Sequence, residues 1–169
     1  MRFAEKGDFP AVRALWETCF SDEGGFNDYF FAHFYKEKYT LLYLEGETLV
    51  AMVQMLPYHM TVGGVSREVT YIYGACTDPA HRRKGYMARL LERSFELDRE
   101  AGRIASVLIP AEKWLFDFYN PFGYEPFFHI SRREITCTAG ERKAPRRLTS
   151  ADVPAPAALY DKLGPKNRI

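Results

Sequence analysis

Residues 74–91 read GACTDPAHRRKGYMARLL. The β-branched and aromatic residues Val69, Thr70, Tyr71, Ile72 and Tyr73 lead into this stretch, Asp78 and Pro79 interrupt it, and an amphipathic run leaves it from Gly85. The pattern predicts a strand, a basic turn and a helix N-terminus. The first amides of a helix lack intrahelical partners and carry the positive end of its dipole, so such a turn can seat a phosphate. Arg82, Arg83 and Lys84 add positive charge there, and Gly85 leaves the main chain open to an anion. The Gly-x-x-x-x-Gly-Lys-Ser/Thr phosphate loop and the Gly-x-Gly-x-x-Gly dinucleotide fingerprint are both absent.

The rest of the chain supplies the frame for this turn. A length of 169 residues with 47% hydrophobic composition suits one globular domain with a full core. Apolar runs stop short of the roughly 20 residues that cross a bilayer, and no charged-then-apolar leader opens the chain, so a soluble, cytoplasmic protein is expected. The three cysteines, Cys19, Cys76 and Cys137, have no paired spacing and read as reduced thiols. A net charge of +1 gives no general reason to expect nucleic acid or an anionic membrane as a partner.

In chain order, a short strand over 1–5 precedes a helix capped by Asp8, with Pro10 in its first turn and Val12, Leu15, Trp16, Cys19 and Phe20 as its buried stripe. A second helix is expected over 26–38, crowded with Phe30, Phe31, Phe34 and Tyr35. The ordinary reading of that aromatic stripe is core packing; the sharper one is that the two helices border an acceptor pocket. Strands over 40–44, 48–58 and 65–77, separated by turns at Gly46 and at Gly63 and Gly64, form hairpins. The helix over 85–101 ends at Gly102, and the apolar run 104–109 reads as a buried strand reached by a right-handed crossover, which makes the sheet mixed. A short helix over 112–119 and further extended segments over 127–138 follow, then a polar, Pro-rich linker and a short helix over 157–163.

The turn matches Arg/Gln-x-x-Gly-x-Gly/Ala at Arg82 and Gly85, with Met87 in place of the final small residue, and residues 119–125 read YNPFGYE. Together these resemble the acyl-CoA loop and the terminal Phe-Tyr-x-x-x-Gly-Phe/Tyr signature of the GCN5-related N-acetyltransferases (GNAT), in the family's order. Thr77, Pro79, His81, Arg82, Arg83 and Gly85, with the stretch 109–112, bring the chain nearest to the tandem intracellular-survival type. That resemblance implies an α/β (α+β) fold with a mixed, mostly antiparallel sheet of about six or seven strands and about four helices. It divides the chain into an acetyltransferase domain over 1–138 and, over 139–169, a linker with the start of a second, incomplete acetyltransferase-like half. Many members hold pantetheine with an asparagine near the position that Glu112 occupies here.

The resemblance further implies acetyl-CoA as acyl donor, a primary amine as acceptor, and no metal. Backbone groups of Ala75, Cys76 and Thr77 are expected to pair with the pantetheine arm. The segment Arg82, Arg83, Lys84, Gly85, Tyr86 and Met87 is expected to take the pyrophosphate. Tyr119 is the candidate general acid, since a phenol of pKa about 10 can return a proton to a thiolate. No base is visible: Glu68 reads as a solvated charge. A covalent route through Cys76 is disfavoured because His81 has no orienting carboxylate at a fixed spacing. An acetyl-CoA-binding module without turnover, a partner domain of a larger tandem protein, and a different phosphate ligand at the turn remain the alternatives, and a homo-oligomer is left open.

Overall fold

The computed structural model describes residues 1–22, 24–128, 147, 149–152, 154 and 158. Its secondary structure runs β1 (Arg2–Phe3), α1 (Phe9–Cys19), α2 (Phe26–His33), β2 (Thr40–Glu45), β3 (Thr48–Val62), β4 (Val65–Thr77), α3 (Tyr86–Glu100), β5 (Ser106–Val107) and α4 (Trp114–Tyr119). Five strands pair in sequence order, antiparallel throughout except for β4 with β5, which are parallel. The sheet is therefore mixed and mostly antiparallel. The extended segments expected beyond 128, Cys137, the linker and the helix over 157–163 lie wholly or largely outside the described residues.

Burial on both faces explains why the centre of β3 reads as one apolar run, with Val50, Ala51, Met52, Val53, Met55 and Leu56 all buried. On one face Met52 joins Val12, Leu15, Trp16, Phe30, Phe31 and Cys76 beneath α1 and α2. On the other, Ala51, Val53, Met55 and Ile72 pack with Leu90 and Leu91 of α3 and with Tyr119 of α4. Trp16 ties the first layer together: its indole N–H donates to Asn27 Oδ1 at 2.8 Å, and its ring stacks on Phe30 with centroids 4.5 Å apart.

Strand β4 carries an extra residue opposite β3. Met52 pairs with Cys76 and Gln54 with Tyr73, so Gly74 and Ala75 together face Val53, which is a β-bulge. The slip is visible in the side chains: Tyr73 packs toward the α1 layer, Ala75 toward the α3 layer, and Cys76 toward α1 again. Gly74 makes this turn at φ +55°, and a Cβ on it would lie 2.2 Å from the Trp16 ring.

Several expectations are corrected. The apolar run 104–109 is not one buried strand: only Ser106–Val107 pairs, against Thr70 and Tyr71, while Ile104 and Ile109 are 56% and 75% exposed. β5 leaves β4 after Tyr71, so Ile109 has no neighbouring strand, and Ile104 precedes the paired segment at the exposed start of β4. Asp8 does not cap α1, because its carboxylate accepts from the Arg2 guanidinium at 2.6 and 2.9 Å and from the Glu5 amide at 2.7 Å. The second helix stops at His33, where Phe34 and Tyr35 both donate to the Phe30 carbonyl, and Glu37–Tyr39 forms a separate 3-10 turn.

Gly74→Ala is expected to cost about 2 to 5 kcal/mol, the sum of a left-handed backbone and overpacking against Trp16. A thermal melt followed by circular dichroism should show a midpoint lower by on the order of 10 °C. An unchanged midpoint would refute the close approach of indole and glycine.

Candidate functional site

The splay of β4 from β5 builds the site. β4 pairs with β3 along its whole length, but its other edge pairs with β5 only at Thr70 and Tyr71. Residues 72–77 thus present an edge with no strand on it among the described residues. Backbone groups on such an edge can pair with any extended chain laid beside them. Ala75, within the bulge, and Cys76 and Thr77, just after it, lie on this edge.

The basic turn closes the same end of the strand. The Asp78 carboxylate accepts from the Ala80 amide at 2.8 Å and organises a 3-10 turn over Pro79–His81. The Arg82 guanidinium donates to the Thr77 carbonyl at 3.2 Å, folding the loop back on the strand end. Arg83 takes φ +62° and Gly85 φ +78° before α3 begins at Tyr86, and the first helical bond of that end runs from the Arg89 amide to the Gly85 carbonyl. The amides just past Gly85 therefore emerge at the helix start. Arg82, Arg83, Lys84 and Gly85 are exposed there; Met87 is half-buried. The Tyr86 side chain is buried and its hydroxyl donates to Glu45 at 2.7 Å, so any phosphate contact from this residue falls to its backbone.

Glu45, far from the turn in sequence and unmarked by any motif, reaches it from the end of β2. Its carboxylate lies 3.7 Å from Lys84 Nζ and 3.7 Å from His81 Nε2. The Tyr86 hydroxyl, then the Lys84 and His81 charges, hold it below the usual carboxylate range. His81 also has the orienting carboxylate that sequence spacing did not reveal: Asp78 Oδ1 is 3.0 Å from its Nδ1, and the hydrogen bond from His81 lowers the Asp78 pKa. That pairing turns the imidazole toward Asp78 and Glu45. Cys76 is buried, and the neighbouring Cys19 thiol together with burial drives its pKa well up, which suits an inert core thiol. Cys19 is the more acidic of the two, through Cys76 and then Arg82, and its thiol donates to the Thr77 carbonyl at 3.5 Å.

Tyr119 ends α4 and is buried in the α3 layer with Tyr86 and Leu90, the cluster against which Ala75 packs. Its ring meets Phe118 and Tyr124 edge-on at 5.0 and 5.6 Å. Burial raises its phenol pKa, so it holds its proton at neutral pH. Glu68 is engaged elsewhere: its carboxylate accepts from Arg103 at 2.7 Å. Glu112 is exposed, with its carbonyl accepting from the Leu115 amide. Of the residues named from sequence, Ala75, Cys76 and Thr77 follow one another along the β4 edge and 82–87 form the turn and helix start beyond it, with the Cys76 and Tyr86 side chains buried; Tyr119 shares the cluster of Tyr86 and Ala75. The bulge was not anticipated, although a lone glycine inside a strand pattern is its signal.

Residues 1–127 match the acetyltransferase (GNAT) domain family. No curated protein sequence matches the chain. Among solved structures, a GCN5-related N-acetyltransferase from Anabaena variabilis is similar at 18% identity and TM-score 0.61, covering 69% of this chain and 30% of that one. Eis1 from Mycobacterium abscessus is similar at 18% identity and TM-score 0.62, covering 73% and 31%. The aminoglycoside 6'-N-acetyltransferase AAC(6')-IG from Acinetobacter haemolyticus is similar at 17% identity and TM-score 0.62, covering 81% and 98%. The chain thus spans about a third of the length of the first two and nearly all of the third. No helix among the described residues is long and apolar enough to cross a membrane. With the splayed β4 edge, the glycine-opened helix start and the domain match all in one place, the chain belongs to the GNAT acetyltransferase family.

Proposed function

We propose that the protein is an acetyl-CoA-dependent N-acetyltransferase in which a primary amine attacks the thioester directly. The observation that carries this reading is the edge of β4 over 72–77, which has no strand on it among the described residues and runs straight into a basic helix start. The amides of the pantetheine arm add to that edge at Ala75, Cys76 and Thr77 as an extra strand does. The pyrophosphate takes the amides after Gly85 and the charges of Arg82, Arg83 and Lys84. Met87 does not obstruct that seat, because its side chain packs inward on the α3 layer. At the bulge, main-chain donors turned out of the ladder can stabilise the oxyanion formed as the amine adds to the carbonyl. Tyr119, held neutral by burial, gives its proton to the departing thiolate.

Glu45 opposes the phosphates. It pairs with Lys84 and lies beside His81 at the rim of the seat, so an incoming anion must compete with it for the Lys84 charge. Glu45→Gln is expected to tighten acetyl-CoA binding several-fold at low ionic strength, with the gain fading as salt screens the site. Calorimetry at two salt concentrations reads this directly, and an unchanged or weaker affinity at low salt counts against the placement.

Gly85 separates charge from backbone strain. Both Gly85→Asp and Gly85→Asn put a side chain on a residue at φ +78°, in open space, at a cost of about 1 kcal/mol or a few degrees of thermal midpoint. Only the aspartate brings a negative charge, and it should weaken acetyl-CoA binding by about tenfold or more, roughly 1.4 kcal/mol, relative to the asparagine. Equal affinities in the two variants would remove the phosphates from this turn.

Tyr119→Phe leaves the ring in its layer and removes one oxygen. Acetyl-CoA affinity should persist while kcat falls about 10²-fold, the scale of a positioned acid. Thiol release over an amine panel, with calorimetry in parallel, measures both. An unchanged kcat makes Tyr119 a packing residue, and binding without thiol release from the native protein makes the chain an acetyl-CoA-binding module.

A further inference from the structure

On the α1 side of the sheet a chain of aromatic rings leads from solvent to the bulge. Tyr58 on β3 is half exposed and meets Tyr71 on β4 edge-on at 5.2 Å; Tyr71 meets Tyr73 at 5.7 Å. Tyr73 in turn packs on Phe30 at 5.3 Å and on Trp16 at 5.9 Å, and Phe30 stacks on Phe34, which is 45% exposed. Tyr71 and Tyr73 share this face by the two-residue period of the strand, and Tyr73 immediately precedes Gly74. The wall therefore ends at the unpaired β4 edge.

The chemistry of this wall is uncharged. Burial and the neighbouring phenols raise the pKa of Tyr71 and Tyr73, so both stay neutral. The carboxylates of α1 and α2 are occupied: Glu17 and Asp28 accept from Arg13, whose guanidinium lies over the Phe31 ring, and Asp22, between the two helices, accepts from the Asn27 main-chain amide. A polycationic amine desolvated here would leave its additional ammonium groups without counter-charges, which is costly. An amine with one charge on an aromatic body meets ring faces suited to stacking and to a single cation. Apolar surroundings also lower the pKa of its ammonium, which raises the fraction of neutral nucleophile without a dedicated base.

We propose that this wall, with Tyr58 and Phe34 at its mouth, is the acceptor subsite and selects a primary amine carried on an aromatic body with a single positive charge. The proposal rests on the transferase reading above. In the transfer the amine nitrogen forms the new C–N bond as the C–S bond breaks; the nitrogen gives up one proton and the sulfur gains one, so that amide and free thiol leave.

The test compares 2-phenylethylamine and tyramine with spermidine and an aminoglycoside as acceptors, reading thiol release from acetyl-CoA. The aromatic amines should show kcat/KM at least tenfold above the polycations. Tyr58→Ala and Phe34→Ala should each lower kcat/KM for 2-phenylethylamine several-fold, mostly through KM, with acetyl-CoA affinity held; Tyr58→Phe should keep the native value. Both positions are substantially exposed, and the acetyl-CoA titration checks that each variant is folded. Faster turnover of a polycation, or unaltered KM in both alanine variants, overturns the subsite while leaving the transferase reading intact. Acetyl-CoA binding with no turnover of any amine overturns both.

Discussion

The contact between the Trp16 indole and the bare backbone of Gly74 is the constraint on which the rest depends. Any β-carbon at residue 74 would enter the ring, and the φ of +55° is one that only glycine adopts without strain. With both conditions met, α1 seats directly on β4 and the strand gains its extra residue. That residue reverses the facing of everything after it, so Cys76 turns into the α1 core and Ala75 into the α3 core. Trp16 is itself fixed by Asn27 and Phe30, so the position of α2 reaches the strand through a single ring.

The sheet divides its labour along its length. At Thr70 and Tyr71, β4 is bound on both edges, and the buried Thr70 hydroxyl donates to Asp98, which anchors the far end of α3 to the sheet. Beyond Tyr71 one edge is released. A closed sheet would satisfy more backbone groups and leave no slot for an extended ligand. The exposure of Ile109 accompanies that divergence. The apolar burial is concentrated in the two packed layers, and the polar backbone edge of β4 over 72–77 carries no strand among the described residues.

Electrostatics at the basic turn works by internal competition. Glu45, Asp78, His81, Lys84 and Arg82 form a chain of partners before any ligand arrives: Glu45 to Lys84 and His81, His81 to Asp78, and Arg82 to the Thr77 carbonyl. Such pairs at an exposed surface are each worth little and exchange easily. They hold the loop in shape while leaving its cations available to a stronger anion.

The local grammar of the chain was legible in the sequence because it rests on short-range chemistry. Asp78 and Pro79 mark the end of a strand, Gly85 the opening of a helix, and the Arg82–Gly85 turn with the Tyr119 signature after it carries a resemblance to the family that the match over residues 1–127 shows. The hairpins and the α3 helix followed from period and turn residues in the same way. What the tertiary structure alone decided was non-local. A two-residue period cannot show the slip at Gly74, because β4 carries apolar and aromatic residues on both faces around it and its pattern reads alike on either side of the bulge. An apolar run at 104–109 cannot show that its neighbour stops pairing at Tyr71. Glu45 meets Tyr86 across 41 residues of chain, and the Tyr58, Tyr71 and Tyr73 rings meet across the β3–β4 hairpin. Those meetings are set by how strands register and helices pack, which no stretch of sequence carries within itself.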